Sequence, residues 1–212
     1  MKNRFPSFLL AAISLCLLCQ APLRAQTWTI PYTGNFTSWS APEAGNYTIT
    51  ATGAQGGEAL QGAVSWAAAA IGGAGAVVSG TFQLPAGINL TILVGGIGFS
   101  GQSDFNLIGG GGGGGTYVVD SSSNSPLVVA GGGGGGFFNI KGYTFSGGNA
   151  SLTTAGGNAT YGGSGGINGS GGTIGVNTPT SGGGGGGGFY SNGGTHYSGK
   201  IMQAQGGFSF LN

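Results

Sequence analysis

Three short stretches carry side chains whose types and spacing suit known chemistry. In GTHYSGKI, Gly194–Ile201, two glycines precede Lys200 as in a phosphate-binding loop. Ile201 stands where that loop needs a Ser or Thr for magnesium, and no apolar strand leads into it, so the match is one of spacing alone. GGSGG, Gly162–Gly166, frames Ser164 as a nucleophile elbow would. That chemistry needs an acid and then a histidine further along the chain, but every acidic residue precedes Ser164. His196 is the single histidine, so a histidine metal site or proton relay lacks partners, and an exposed loop position is expected for it. Asp104 and Asp120 flank a glycine run without the spacing of a calcium loop and read as solvated turn residues. No catalytic, metal or cofactor-binding residue is expected, and the chain does not read as an enzyme.

The elements that would position any site begin after a leader. Lys2 and Arg4 precede an apolar run from Phe8 to Cys19, and Ala25 stands before Gln26. This is the order of a secretory signal peptide, 1–25, with cleavage after Ala25. The apolar run is shorter than the roughly 20 residues a membrane helix needs. Both cysteines, Cys16 and Cys19, fall inside it, so the mature chain is expected to hold no disulfide. The only charges after Ala25 are Glu43, Glu58, Asp104, Asp120, Lys141 and Lys200, which leaves no basic patch for nucleic acid. No later apolar stretch is long enough to span a membrane.

The remainder, 26–212, reads as one glycine-rich domain. From about 28 to 130 it reads as a strand framework, with TWTIPY, GNYTITATGAQGG, GAVVSGTFQLPAG and INLTILVGG as strands. LPAG between the last two reads as a hairpin turn, and TYVVD and PLVVAGG as a further pair joined by SSSNS. Only EALQGAVSWAAAAI has helical character, weakened by Gly62. Trp28, Trp39 and Trp66 are expected in core or partly buried positions.

From about 109 to 212 glycine dominates, with runs at 109–115, 131–136 and 182–188. There is no Gly-X-Y period, which excludes collagen. Phe137, Phe138, Tyr143, Phe145, Tyr161, Phe189, Tyr190, Phe208 and Phe210 punctuate this half, whereas flexible linkers are poor in aromatics. Ordered polyglycine has a specific solution. In an extended left-handed helix with three residues per turn, backbone groups point outward, and without Cβ atoms such helices pack laterally and satisfy one another. The expected fold class is therefore mostly β, with a β-sandwich-like framework clamping a bundle of polyglycine II helices.

Four blocks occur in order: AGNYTITATGAQGG (44–57), GGAGAVVSGTFQLPAGINLTILVGGIG (72–98), GGGGGGGTYVV (109–119) and PLVVAGGGGGG (126–136). This succession resembles the glycine-rich extracellular domain of the anaplastic lymphoma kinase and leukocyte tyrosine kinase receptors, a type that also occurs in exported bacterial proteins. The likeness covers roughly Trp39 to Asn212 and implies a β-sandwich-like framework with polyglycine helices and a ligand-binding role. The family pattern continues with further glycine runs beyond a segment like GGFSFLN (206–212), so a truncated copy of a longer domain is one reading. Of the receptor kinase itself there is no trace: no VAIK lysine, no HRD and no DFG.

The functional expectation is an exported, non-enzymatic module for surface recognition, ligand binding or adhesion, secreted or at the cell surface, with a protein or glycan partner. A structural component of an envelope or matrix is the alternative. The expected binding anchors are the exposed members of Tyr143, Phe189, Tyr190 and Tyr197, rings set in glycine-rich loops with little core to occupy.

Overall fold

The computed structural model describes residues 25–61, 69–103, 109–138, 143–159, 163–178, 181–198 and 201–211. The expected signal peptide up to Arg24, and Trp66, Asp104, Lys141, Tyr161 and Lys200, lie outside them. The chain divides into a unit ending at Ile30 and a second unit, Pro31–Asn212.

Every regular element among the described residues is a β-strand. The strands are β1 (Thr37–Ser40), β2 (Gly45–Thr52), β3 (Ala59–Gln61), β4 (Ala69–Ala70), β5 (Val77–Leu84), β6 (Asn89–Leu93), β7 (Gly101–Ser103), β8 (Thr116–Asp120) and β9 (Ser125–Ala130). In the glycine-rich half follow β10 (Phe137–Phe138), β11 (Thr144–Phe145), β12 (Gly175–Thr178), β13 (Ser181–Gly183), β14 (His196–Ser198) and β15 (Ile201–Ala204). An antiparallel sheet runs in the order β1-β6-β8-β9, and β2 pairs with β5 along their full lengths. Small antiparallel pairs β10-β11, β12-β13 and β14-β15 complete the glycine-rich half, and β3 lies between β4 and a parallel β7.

The alternation in β2 and β5 explains their pairing. Tyr47, Ile49 and Ala51 turn inward opposite Phe82, Gly80 and Val78, while Thr48 and Thr50 turn outward to hydrogen-bond Thr81 and Ser79. β8 is buried on both sides and β9 on alternate residues, and β2 and β5 pack beside β9. β8 and β9 pair as their sequence pattern predicts, across a turn that Asp120 caps with bonds from the Ser122 N–H and the Ser122 and Ser123 hydroxyls.

Three expectations are corrected. Residues 27–32, TWTIPY, form no strand; Pro31 has no N–H to give a ladder. LPAG does not close a hairpin: β5 pairs with β2, whereas β6 lies between β1 and β8. The Ile88 N–H closes a turn onto Pro85, with Gly87 at φ 77°, as glycine at the third position of a type II turn permits. Ala41 then bonds both Gly87 and Ile88, turning the chain out of one sheet and into the other. The ends of EALQGAVSWAAAAI are not helical, since Ala59 and Leu60 pair antiparallel with Ala70 and Ala69.

The glycine runs bond to one another by backbone alone. Gly132 and Gly135 donate to Gly187 and Gly184, Gly133 and Gly136 to Ala54 and Gly57, and Gly134 to Gly148. Incoming bonds arrive from Gly113 and Gly110, and from Ala76 and Gly73. All of these partner segments except that of Gly148 return every third residue. Holding so many glycines costs about 1–2 kcal/mol each in backbone entropy, so a conventional core must assist. Tyr117 and Val119 of β8 supply it with Phe189, which follows the last glycine run, and with Leu93, Val129 and Phe210 packed around them. Phe189 stacks on Phe210 at 5.3 Å between centroids, and the Tyr117 hydroxyl donates to the Gly188 carbonyl. Burial raises the Tyr117 phenol above its ordinary pKa, against a smaller lowering by its bond with the Gly115 backbone.

Candidate functional site

A groove of about 360 Å³ opens where four glycine-bearing segments meet. Its floor is backbone. Gly95 and Gly98 lie so close to the 109–115 run that a Cβ on either would fall 2.1 Å from the carbonyl oxygens of Gly114 and Gly111. The Gly114 and Gly111 N–H groups bond Gly96 and Phe99 in the same three-residue rhythm. Glycines are thus spent on the contacts, and the residues between and after them, Ile97 and Phe99, point away. Gly206 and Gly207 are pinned in the same manner, against the carbonyls of Gly193 and Gly113, and Phe208 follows them into the groove.

The other wall precedes β1. A turn in which the Thr33 hydroxyl donates to the Asn35 carbonyl, with Gly34 at φ 75°, presents Tyr32 and Phe36. The Tyr32 ring covers Gly96, where a Cβ would meet its Cζ at 2.8 Å. Phe36 meets Phe210 edge to face at 5.2 Å. Tyr32, Phe36, Ile97, Phe99 and Phe208 line this one groove while remaining between 57% and 78% exposed. No charged side chain lines it among the described residues. Ser209, also in the lining, is buried; its N–H donates to Asn192 Oδ1 at 2.7 Å, and its hydroxyl has no partner.

The four expected anchors are not brought together. Tyr143, Tyr190 and Tyr197 are exposed as expected. Phe189 is 4% exposed and belongs to the core, so it is removed from the binding set. Tyr190 borders a second groove of about 420 Å³, with Pro126, Leu152 and Ser164 among its neighbours, while Tyr143 and Tyr197 border neither. The spacing that placed aromatics after glycine runs points equally to buried Phe137 and exposed Phe208, which is why it missed the groove.

The candidate chemical residues also separate. His196 is not an exposed loop residue: it lies in β14, 3% exposed, with Nδ1 unpartnered, and burial holds its pKa below the ordinary value. Ser164 is exposed and engaged through its backbone with Thr173. Asp120 sits in its turn as expected, its carboxyl lowered by the Ser122 N–H and the two serine hydroxyls. Trp39 is half-buried and Trp28 is 40% exposed. Among the described residues no three His, Cys, Asp or Glu side chains gather to hold a metal ion, and no helix is long and apolar enough to cross a membrane.

No protein-family model matches the chain, and no curated protein matches its sequence. The likeness to the receptor domain therefore rests on the four sequence blocks alone.

Proposed function

We propose that the protein is an exported, non-enzymatic recognition module, akin to the glycine-rich ectodomain it resembles, that binds its ligand through the Tyr32–Phe208 groove. One observation carries this reading: five large apolar side chains converge, largely exposed, on a single groove that no charged side chain lines among the described residues. Leaving such surface in water is unfavourable by about 25 cal/mol per Å², and contiguous exposed apolar patches mark interaction sites.

The scaffold in this proposal is a β-sandwich-like frame, β2-β5 against β1-β6-β8-β9, holding a bundle of polyglycine II helices. The three-residue recurrence of the lateral hydrogen bonds supports the helices. Its consequence for function is rigidity, because a floor locked by backbone bonds lets the groove bind without the ordering cost of a flexible loop.

The test is equilibrium binding of the purified chain to arrayed proteins and glycans, beside its Phe99→Ala variant. Saturable binding that Phe99→Ala weakens supports recognition. Concentration-dependent self-assembly with no bound partner favours the envelope or matrix component instead.

A further inference from the structure

We propose that the groove takes an uncharged carbohydrate, a neutral glycan whose sugar rings lay their C–H faces on Phe99, Phe208 and Tyr32. This inference rests on the reading of the groove as the recognition surface and names the ligand class for it.

Three features select this chemistry. The first is charge. An acidic glycan, a phosphate-bearing headgroup or a basic peptide needs a counter-charge when it leaves water, and among the described residues no Lys, Arg, Asp or Glu lines the groove.

The second is the mixture of walls and polar groups. The walls are aromatic and aliphatic, yet the polar lining residues Asn35, Gln205 and the Tyr32 phenol can each donate and accept hydrogen bonds. A sugar hydroxyl also does both. An acyl chain would offer none of these groups a hydrogen bond.

The third is size and stiffness. About 360 Å³ lies at the small end of ligand pockets, roughly 300–1,000 Å³, and suits one or two sugar rings better than a protein face. Aromatic walls also bind proline-rich peptides, so that occupant must be tested directly.

Affinity electrophoresis of the full exported chain through gels containing a neutral β-glucan or mannan, or an acidic alginate, separates the charge classes. Titration calorimetry with the corresponding neutral oligosaccharides and with a proline-rich peptide gives affinities. Retardation by a neutral polysaccharide but not by alginate is expected. Phe99→Ala and Phe208→Ala should each weaken it about tenfold or more, as truncated anchors do, with melting temperatures held because both rings are exposed. Tyr197→Ala, off the groove, should bind as wild type does. Failure of every neutral glycan at millimolar concentration overturns the proposal. Peptide binding lost in Phe99→Ala overturns the carbohydrate assignment while leaving the recognition reading standing; self-assembly lost in Phe99→Ala, with no ligand bound, overturns both.

Discussion

Three neighbouring glycines in one run should respond to alanine in opposite ways. At Gly133 an added Cβ falls 1.9 Å from the Gly73 carbonyl oxygen and 2.4 Å from its carbon. At Gly134 the nearest atom is 3.3 Å away, and at Gly131 nothing comes closer than 3.9 Å. Relieving the clash at Gly133 means moving two backbones apart by more than an ångström, since no flexible side chain is there to yield. That separation breaks the Gly73-to-Gly134 and Ala76-to-Gly131 hydrogen bonds that join the two segments. Each is worth about 1 kcal/mol net, and a buried group left unsatisfied costs about 1–3 kcal/mol. Gly133→Ala is therefore expected to lose about 3 kcal/mol or more, a large part of a stability of about 5–15 kcal/mol. Gly131 has no positive φ, so alanine there restricts the unfolded chain and should be neutral or stabilising by about 0.4–1 kcal/mol. Gly134→Ala should fall between. Guanidinium unfolding followed by intrinsic fluorescence measures all three. Equal effects at 131, 133 and 134 would refute the close packing of backbones, because a solvated run would treat its glycines alike.

Tyr117→Phe should cost about 1–3 kcal/mol in the same assay, since the Gly188 carbonyl loses its buried donor; an unchanged midpoint would mean that the hydroxyl clamps nothing. For His196 the folded pKa is depressed by burial, so its contribution is complete above the unfolded value of about 6.5 and is lost as pH falls through the folded pKa. Stability should decline just below pH 6.5 in the wild type, and His196→Leu should flatten that window, because the chain has no other histidine. Mass spectrometry of exported protein should find an N-terminus near Gln26, and an intact Met1 on that product would refute the signal-peptide reading.

What was legible in the sequence follows from how local each determinant is. The β8–β9 pair was readable because alternation and turn residues sit within one short stretch. The β5–β6 hairpin misread the same kind of signal, because the partner that redirects the chain at Gly87 is Ala41, far away in sequence. Burial in the glycine-rich half was harder still. Phe189 and Phe208 both follow glycines, but one meets Tyr117 and the other meets solvent. That difference depends on which backbones the preceding glycines touch. His196 failed for a related reason: glycine neighbours looked like loop, yet it pairs with Ala204 of β15 and is buried.

A lattice of glycine backbones has its own explanation for exposed apolar rings, which competes with the binding reading. Where glycines take up the contacts, an intervening side chain finds no other side chain to bury against and is left outside. Val77, Ile71 and Ile167 are exposed and border neither groove, as that purely structural account would have it. The account predicts scatter, however, and makes no demand that exposed residues meet. Tyr32, Phe36, Ile97, Phe99 and Phe208 come from three separated parts of the chain and line one concavity. Two of them, Tyr32 and Phe36, belong to a segment outside the glycine runs, so lattice geometry does not push them out. Convergence of these five, rather than exposure of any one, is the feature that a ligand explains and a glycine lattice does not.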